Sequence, residues 1–199
     1  MALDVTVKHQ ISEEEYLQGE LISEIKHEFI DGEVYAMSRA SKKHDRIAGN
    51  VYTNLLPLLE NSLCEPFSSD VKVKVGGNFF CPDVMVVCDD RADNPYYSEI
   101  PTILVEVLSK TTRRNDETIK RLAYQSIPSL QEYLLIEQDF VDVEVCCRKN
   151  GWLSQHYFLG DEFTLYSISI VLSVEDIYRR VQNEDVLTYL QEKVDVDAS

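Results

Sequence analysis

The sequence predicts an α/β fold in which a mixed central sheet is flanked by helices. Segments with helical apolar spacing alternate along the chain with short apolar strands. The nearly continuous apolar run at 102–108 is typical of a strand buried on both faces. The chain has 199 residues, 44% hydrophobic and 27% charged, which is an ordinary globular composition. No period of 20 to 50 residues repeats, so solenoids are excluded.

The N-terminal part is predicted to contain two helices with a hairpin between them. Ser12–Glu15 is a capping box, and apolar residues at helical spacing carry the first helix to about Lys26. Asp31-Gly32, between two short apolar runs, is a strong hairpin signal. A second amphipathic helix is predicted from about Lys42, and Pro57 should bend it or end its regular hydrogen bonding.

The rest of the chain contributes most of the predicted sheet. Strands are expected at 71–75, 82–87, 102–108 and 131–137, with a turn at 76–78 before Phe79-Phe80. A helix is expected at 112–126, a hairpin at 141–148 and 152–159, and helices from 174 onward. The order from 42 to 137 is therefore helix, three strands, helix, strand. We expect a single domain over 1–199, with its core at about 42–137, an N-terminal appendage at 1–41 and a C-terminal hairpin and acidic helical tail at 140–199.

The net charge limits the partners that the protein can bind by bulk electrostatics. The chain carries 35 acidic and 19 basic side chains, a formal charge of -16, and such a surface repels a polyanion at long range. Residues 1–33 contribute -7 and residues 161–199 contribute -6, which leaves 34–160 near -3. A local nucleic-acid site in the core is therefore permitted.

Cysteine usage and hydropathy indicate a soluble protein of a reducing cytoplasm. The five cysteines form no CxxC pair and their number is odd, and no apolar secretion signal follows the N-terminus. No apolar stretch approaches the roughly 20 residues needed to cross a bilayer. Phosphate-loop, dinucleotide-binding, nucleophile-elbow and zinc motifs are also missing from the sequence, which disfavours those enzyme classes.

Two carboxylates stand out because they lie in apolar strands. Asp83 precedes the run 84–87, and Glu106 lies inside the run 103–108. An unpaired buried charge costs several kcal/mol unless something binds it. If the strands are neighbours, both carboxylates can converge on one cation, and such oxygen ligands favour Mg²⁺ or Mn²⁺. The alternative is that each caps a strand end or pairs with an arginine.

Basic side chains gather in three places along this acidic chain. Residues 110–121 hold five basic and two acidic side chains, and on a helix Asp116, Lys120 and Tyr124 share one face. Lys120 could then point toward the carboxylate pair, although an exposed, salt-bridged helix is the usual outcome of such spacing. A second cluster brackets His44, a candidate proton shuttle or phosphate contact and otherwise a capping or exposed residue. The candidate nucleic-acid contacts are Lys42, Lys43, Arg46, Lys72, Lys74, Arg113 and Arg114.

The order of several motifs resembles the Uma-two family of bacterial endonucleases. The motifs are Pro82-Asp83-Val84, the run Pro101 to Ser109, Thr112 with Arg113-Arg114, then Asp116, Lys120 and Tyr124, and the run Ile127 to Leu135. The segment Glu28 to Glu33, followed by Met37-Ser38 and His44, is similar to the opening of that family. The resemblance extends from about Ser12 to Val174.

The resemblance implies a restriction-endonuclease-like fold of the PD-(D/E)XK superfamily. Asp83 and Glu106 would then bind the metal. The superfamily places a lysine two residues after the second carboxylate, but this chain has Leu108 there. The resemblance suggests that Lys120 supplies the ammonium from the following helix. Possible accessory residues are Glu28, Glu33, His44, Ser109 and Tyr124.

The sequence therefore favours a metal-dependent endonuclease that hydrolyses DNA phosphodiester bonds with Mg²⁺ or Mn²⁺. A homodimer is expected because cutting two strands often takes two active sites. The alternative is a catalytically inactive module of the same fold that binds nucleic acid or protein, favoured by Leu108 and by the charge of -16. A third interpretation is that Asp83 and Glu106 are purely structural.

Overall fold

The computed structural model of the protein describes residues 10–89, 94–110, 113 and 116–197, with side chains to 193. The helical elements are α1 (Glu13–Glu20), α2 (Lys42–Leu59), a π-helical turn (Asp116–Lys120), α3 (Arg121–Gln125), a 3-10 turn (Arg148–Asn150), α4 (Val174–Ile177) and α5 (Glu184–Asp197). The strands are β1 (His27–Ile30), β2 (Glu33–Ala36), β3 (Cys64–Ser68), β4 (Lys72–Val75), β5 (Asn78–Phe80), β6 (Val84–Cys88), β7 (Tyr97–Ser98), β8 (Pro101–Leu108), β9 (Glu132–Glu137), β10 (Val143–Cys147), β11 (Ser154–Tyr157), β12 (Glu162–Leu165) and β13 (Ile170–Ser173).

The described strands form two sheets and a separate hairpin. The larger sheet has the order β11-β10-β9-β8-β6-β3, the smaller has the order β2-β1-β5-β4-β7, and β12 pairs with β13. In the larger sheet β8 and β9 run parallel, whereas the other neighbours are antiparallel. The predicted mixed α/β fold is thus confirmed. The order helix, three strands, helix, strand corresponds to α2, then β3, β6 and β8, then the π-helical turn with α3, then β9.

Strand β8 lies inside the larger sheet and separates two apolar cores. Its side chains alternate between the two faces, as in any strand. Ile103, Val105 and Val107 pack into the core beneath α2, whereas Leu104 and Leu108 pack into the opposite core with the aromatic side chains of β5 and α3. By this alternation Glu106 belongs to the second face, and it is only 3% exposed. The fold therefore buries a carboxylate in the middle of the molecule.

Helix α2 covers one face of the larger sheet through residues spaced four apart. Ile47, Val51, Leu55 and Leu59 are all buried, as the amphipathic pattern predicts. Pro57 is accommodated within the last turn, and the helix continues to Leu59. Because its apolar face is continuous, α2 holds its first turn in a defined position above the ends of β6 and β8.

We expect Leu55→Ala to lower the free energy of unfolding by about 2–5 kcal/mol, because it leaves a cavity between α2 and the sheet. Leu58→Ala on the same helix is the matched control, since Leu58 is 57% exposed and exposed substitutions usually change stability by less than about 0.5 kcal/mol. Urea denaturation followed by circular dichroism measures both. Equal losses in the two variants would contradict the packing of α2.

The first helix is shorter than predicted. It ends at Glu20, not near Lys26, and three apolar residues that continue the helical spacing, Leu21, Ile22 and Ile25, are exposed. Tertiary contacts explain the early end. The Glu20 carboxylate accepts a hydrogen bond from the His27 backbone N–H, so the chain turns there into β1.

Strand β3 was not predicted from the sequence, and the first strand of the larger sheet was therefore assigned wrongly. The predicted strand at 71–75 forms as β4, and Phe79-Phe80 lie in β5 after the predicted turn, but both strands belong to the smaller sheet. The place that we expected β4 to fill is taken by β3, which lies at the edge of the larger sheet. Pro66 interrupts its pattern, and proline is tolerated in edge strands.

Cys64 and Cys88 are joined by a disulfide that the cysteine spacing does not indicate. They face each other across β3 and β6, in register with each other. The other three cysteines, Cys81, Cys146 and Cys147, are free and buried. The pairing depends on strand register, which brings together residues 24 apart in the chain. Within the described residues, none of the helices combines the length and apolar character needed to span a membrane.

Candidate active site

Asp83 lies between β5 and β6, with its backbone and its side chain both bonded to β8. Its N–H donates to the Val105 carbonyl at 3.0 Å, and its Oδ2 accepts from the Val107 N–H at 2.7 Å. Val105 and Val107 flank Glu106 on the strand. The two predicted carboxylates are therefore brought to adjacent positions in the sheet.

Lys120 lies beside Glu106, although it is 14 residues further along the chain. It ends the π-helical turn that follows β8, and its side chain is buried. The Nζ atom is 3.0 Å from Glu106 Oε1, 2.8 Å from Glu28 Oε1 and 3.1 Å from Asp116 Oδ1. One ammonium thus meets three carboxylates from three separate elements.

Two further contacts hold these carboxylates in place. The Tyr124 hydroxyl, one turn after Lys120 on α3, donates to Glu106 Oε1 at 2.9 Å. Glu28, on β1, accepts from the Cys81 backbone N–H at 3.1 Å. The N-terminal hairpin therefore contributes directly to the site. We call Glu28, Asp83, Glu106 and Asp116 the carboxylate cluster.

The electrostatics of the cluster show an excess of negative charge. Burial raises the pKa of Glu106 well above its usual range; Lys120 opposes this, while Asp116, Asp83 and Glu28 add to it. Burial alone would lower the pKa of Lys120, but Glu106, Glu28 and Asp116 outweigh that effect and raise it well above its usual range. The lysine is therefore a stable cation among carboxylates that repel one another.

His44 approaches the cluster from the first turn of α2. Its Nε2 is 3.3 Å from Asp83 Oδ2. Ser41 caps the helix by accepting a hydrogen bond from the His44 backbone N–H, which places the imidazole above the sheet. Burial lowers the pKa of His44, but Asp83, together with Asp116 and Asp45, outweighs that effect, and the net shift is upward.

The cluster is chemically suited to a divalent cation. Three carboxylates surround one ammonium and the fourth, Asp83, faces one imidazole, and carboxylate oxygens are the ligands that Mg²⁺ prefers. In the part of the chain that the structure describes, no three His, Cys, Asp or Glu side chains are arranged to hold a metal. Mg²⁺ commonly binds through one or two carboxylates and completes its shell with waters and substrate phosphates. The pair Asp83 and Glu106 fits that mode.

Lys72 and Lys74, two candidate nucleic-acid contacts, form ion pairs on β4. The buried Lys72 ammonium is 3.0 Å from Glu20 Oε2. The Lys74 ammonium is 3.0 Å from Glu13 Oε2, and this contact raises the pKa of Lys74. These contacts favour a role in holding α1 against the smaller sheet over the phosphate contact that we predicted.

The remaining predicted residues are dispersed. Arg113 forms a two-pronged ion pair with Glu137, which also favours a structural role. Glu33 lies on β2, where it accepts from the Tyr35 hydroxyl at 2.9 Å, and the structure does not bring it into the carboxylate cluster. Arg46 is exposed on α2, and Arg114 lies outside the described residues.

A cleft of about 390 Å³ opens between the start of α2 and the end of β8. Ser41, three residues before His44, and Ser109, three residues after Glu106, both line it. The ammonium-bearing residues Lys42, Lys43 and Lys110 line it as well. The cleft therefore joins the start of α2 to the end of β8.

Asp116 is the one member of the carboxylate cluster to which the sequence analysis assigned no role. Its spacing to Lys120 and Tyr124 was visible, because residues four apart share a helix face. The spacing does not show that this face is buried against Glu106. That information lies in the packing of the π-helical turn on the sheet.

The fold and the cluster together define a restriction-endonuclease-like protein. The Uma2 family model, described as "Putative restriction endonuclease", matches residues 13–175. The chain belongs to this family, and the resemblance noted in the sequence is confirmed.

The chain is also similar to two curated relatives and to a solved structure. The uncharacterized protein slr1290 of Synechocystis sp. strain PCC 6803 is 36% identical over 175 residues, 85% of this chain and 92% of that protein. The uncharacterized protein sll1609 of the same strain is 38% identical over 136 residues, 65% of this chain and 76% of that protein. The crystal structure of "a putative nuclease belonging to DUF820" from Anabaena variabilis ATCC 29413 matches with a TM-score of 0.73 and 17% identity, covering 86% of this chain and 99% of that one. At that identity the match shows the fold.

Proposed function

We propose that the protein is a Mg²⁺-dependent endonuclease that hydrolyses phosphodiester bonds of DNA. One observation carries the proposal: the Asp83 carboxylate is bonded to the residue that follows Glu106 on β8, and the buried Lys120 ammonium is 3.0 Å from Glu106. The family description and the nuclease-like fold support it.

Different residues would bind the metal, orient its ligands and stabilise charge on the phosphate. Asp83 and Glu106 would hold Mg²⁺ or Mn²⁺, and Tyr124 and His44 keep these two carboxylates oriented. When bound, the cation would lower the pKa of a water molecule and neutralise charge on the phosphate. The Lys120 ammonium would stabilise charge that develops on the phosphate or orient the attacking water.

The apolar residue at the usual lysine position does not argue against catalysis. Leu108 is buried in the same core as Tyr124, so this position is used for packing. The ammonium comes instead from Lys120, on the turn after the strand. The presence of a buried lysine at Glu106 favours an active enzyme over an inactive module of the same fold.

The cleft lined by Lys42, Lys43 and Lys110 offers a path for the DNA backbone. Its lysines come from the start of α2 and from the residues that follow β8, and phosphate contacts of this kind supply much of the affinity for nucleic acid. Cutting both strands would require two such sites, so we include a homodimer in the proposal. Sedimentation of the protein with and without DNA tests that part.

We expect the wild-type protein to nick supercoiled plasmid with Mg²⁺ or Mn²⁺ and to be inactive with EDTA, because the carboxylates alone repel the phosphate. Asp83→Asn, purified identically, is expected to be inactive and controls for contaminating nucleases. Gel electrophoresis of the plasmid over time measures both.

The second candidate is a non-catalytic module of the same fold, favoured by the charge of -16. It predicts no cleavage by the wild type and no measurable Mn²⁺ binding by calorimetry. Cleavage that persists unchanged in Asp83→Asn would contradict the proposed active site. A wild type that neither cleaves DNA nor binds Mn²⁺ would favour the non-catalytic module.

A further inference from the structure

Asp116 is a buried carboxylate that the proposed mechanism leaves without a role. It is 1% exposed and begins the π-helical turn that ends at Lys120. Its Oδ1 is 3.1 Å from the Lys120 Nζ. Such turns are rare and frequently occur at functional sites. This one brings a carboxylate and an ammonium from the same turn to one buried point.

The turn is tied to the larger sheet by tyrosines. The Tyr133 hydroxyl, from β9, donates to the Asp116 carbonyl at 3.1 Å. The Tyr133 ring meets the Tyr124 ring edge to face, with centroids 5.2 Å apart. Tyr124 in turn donates to Glu106. A closed series of buried contacts therefore sets the position of Asp116 relative to Glu106.

The surroundings of the Lys120 ammonium explain why a third carboxylate matters. Three carboxylate oxygens lie within 3.1 Å of this ammonium, from Glu28, Glu106 and Asp116. The ammonium donates a hydrogen bond to Glu106, and its contact with Asp116 is an ion pair. Glu106 is assigned to the cation, and Glu28 also accepts from Cys81. Lysine has a flexible four-carbon stem, so its position depends on its partners, and Asp116 is the partner that lies on the same turn as Lys120.

We propose that Asp116 is the positioning residue for Lys120, holding the ammonium in place beside Glu106 without itself touching the substrate. The effect of Asp116 on cleavage rests on the proposed nuclease function. The placement of Lys120 by Asp116 is independent of that function, because it concerns the protein without metal or DNA.

The first test is acetylation of lysines in the full-length, metal-free protein, followed by mass spectrometry. Loss of a charge-assisted contact makes Lys120 more mobile, so we expect Asp116→Asn to accelerate its acetylation by about 10-fold. Glu117→Gln is the matched control: it makes the same chemical change in the same turn, but Glu117 faces Arg113. The control should leave the rate within about 2-fold.

The second test is steady-state cleavage, first at the Mg²⁺ concentration that saturates the wild type and then at higher concentrations. A misplaced Lys120 is expected to lower kcat by about 10–100-fold in Asp116→Asn, with KM for DNA changed by less than about 3-fold. Full recovery of kcat at high Mg²⁺ would overturn the inference, because Asp116 would then be a metal ligand. Unchanged acetylation of Lys120 would overturn it as well.

Asp116→Glu keeps the charge and covers the case in which Asp116→Asn does not fold. Slow acetylation of Lys120 is expected to persist in this variant, and fast acetylation in a folded Asp116→Glu protein would overturn the inference. Should the wild type cleave no DNA, the nuclease proposal fails while the acetylation experiment still decides the role of Asp116.

Discussion

Glu106→Gln is expected to abolish Mg²⁺-dependent cleavage, with a loss of roughly 10³-fold or more. The substitution removes one of two predicted metal ligands, and a bound cation supplies several kcal/mol of charge stabilisation in phosphoryl transfer. The fold should persist, because Lys120 keeps its contacts with Glu28 and Asp116. Plasmid nicking measures the loss, and calorimetry with Mn²⁺ shows whether metal binding is lost with it.

Glu132→Gln is the matched control for this experiment. Glu132 is also buried, on the neighbouring strand β9. Its carboxylate, however, accepts hydrogen bonds from the backbone N–H groups of Tyr166 and Ser167, in the turn between β12 and β13. Cleavage should be retained in this variant. If Glu106→Gln instead leaves the Mn²⁺ response unchanged and raises the melting temperature, Asp83 and Glu106 are a structural pair.

Lys120→Met is expected to lower the free energy of unfolding by about 3–5 kcal/mol, because removing one partner leaves buried charges uncompensated. Here three carboxylates lose their shared ammonium. Cleavage should be lost as well. Urea denaturation with and without Mg²⁺ gives a further signature: the cation should stabilise Lys120→Met more than the wild type, because it replaces the missing positive charge.

Lys26→Met is the control for the loss of a lysine ion pair at the surface. Lys26 pairs with Asp70, and both side chains are exposed, so the expected change is below about 1 kcal/mol. Similar destabilisation in the two variants would show that the Lys120 contacts contribute no more than a surface pair.

Much of the fold was predictable because it follows local patterns. The spacing of Ile47, Val51, Leu55 and Leu59 predicted α2, and the apolar run around Glu106 predicted a buried strand. The end of α1 was not predictable, since Leu21 and Ile22 continue the helical pattern but remain exposed.

For the candidate site, the sequence indicated which residues to examine but not all of their neighbours. A carboxylate within or next to an apolar run can be recognised from the sequence, so Asp83 and Glu106 could be identified as candidates. Lys120 was suggested by the family resemblance, and the structure places its ammonium at Glu106. The contact of Glu28 with Lys120 could not be derived from the sequence. It requires the smaller sheet, which contains Glu28, to pack against β8.

The sequence alone thus established the class of fold, the two carboxylates within or next to buried strands, and the concentration of acidic charge in the two ends of the chain. Only the tertiary structure decided which charges meet. Lys72, Lys74 and Arg113 carry the same charge as Lys120, yet they pair with Glu20, Glu13 and Glu137 outside the carboxylate cluster. The reason is physical: local spacing sets the elements and their faces, whereas ion pairs, metal sites and the Cys64–Cys88 disulfide depend on distances between residues far apart in the chain.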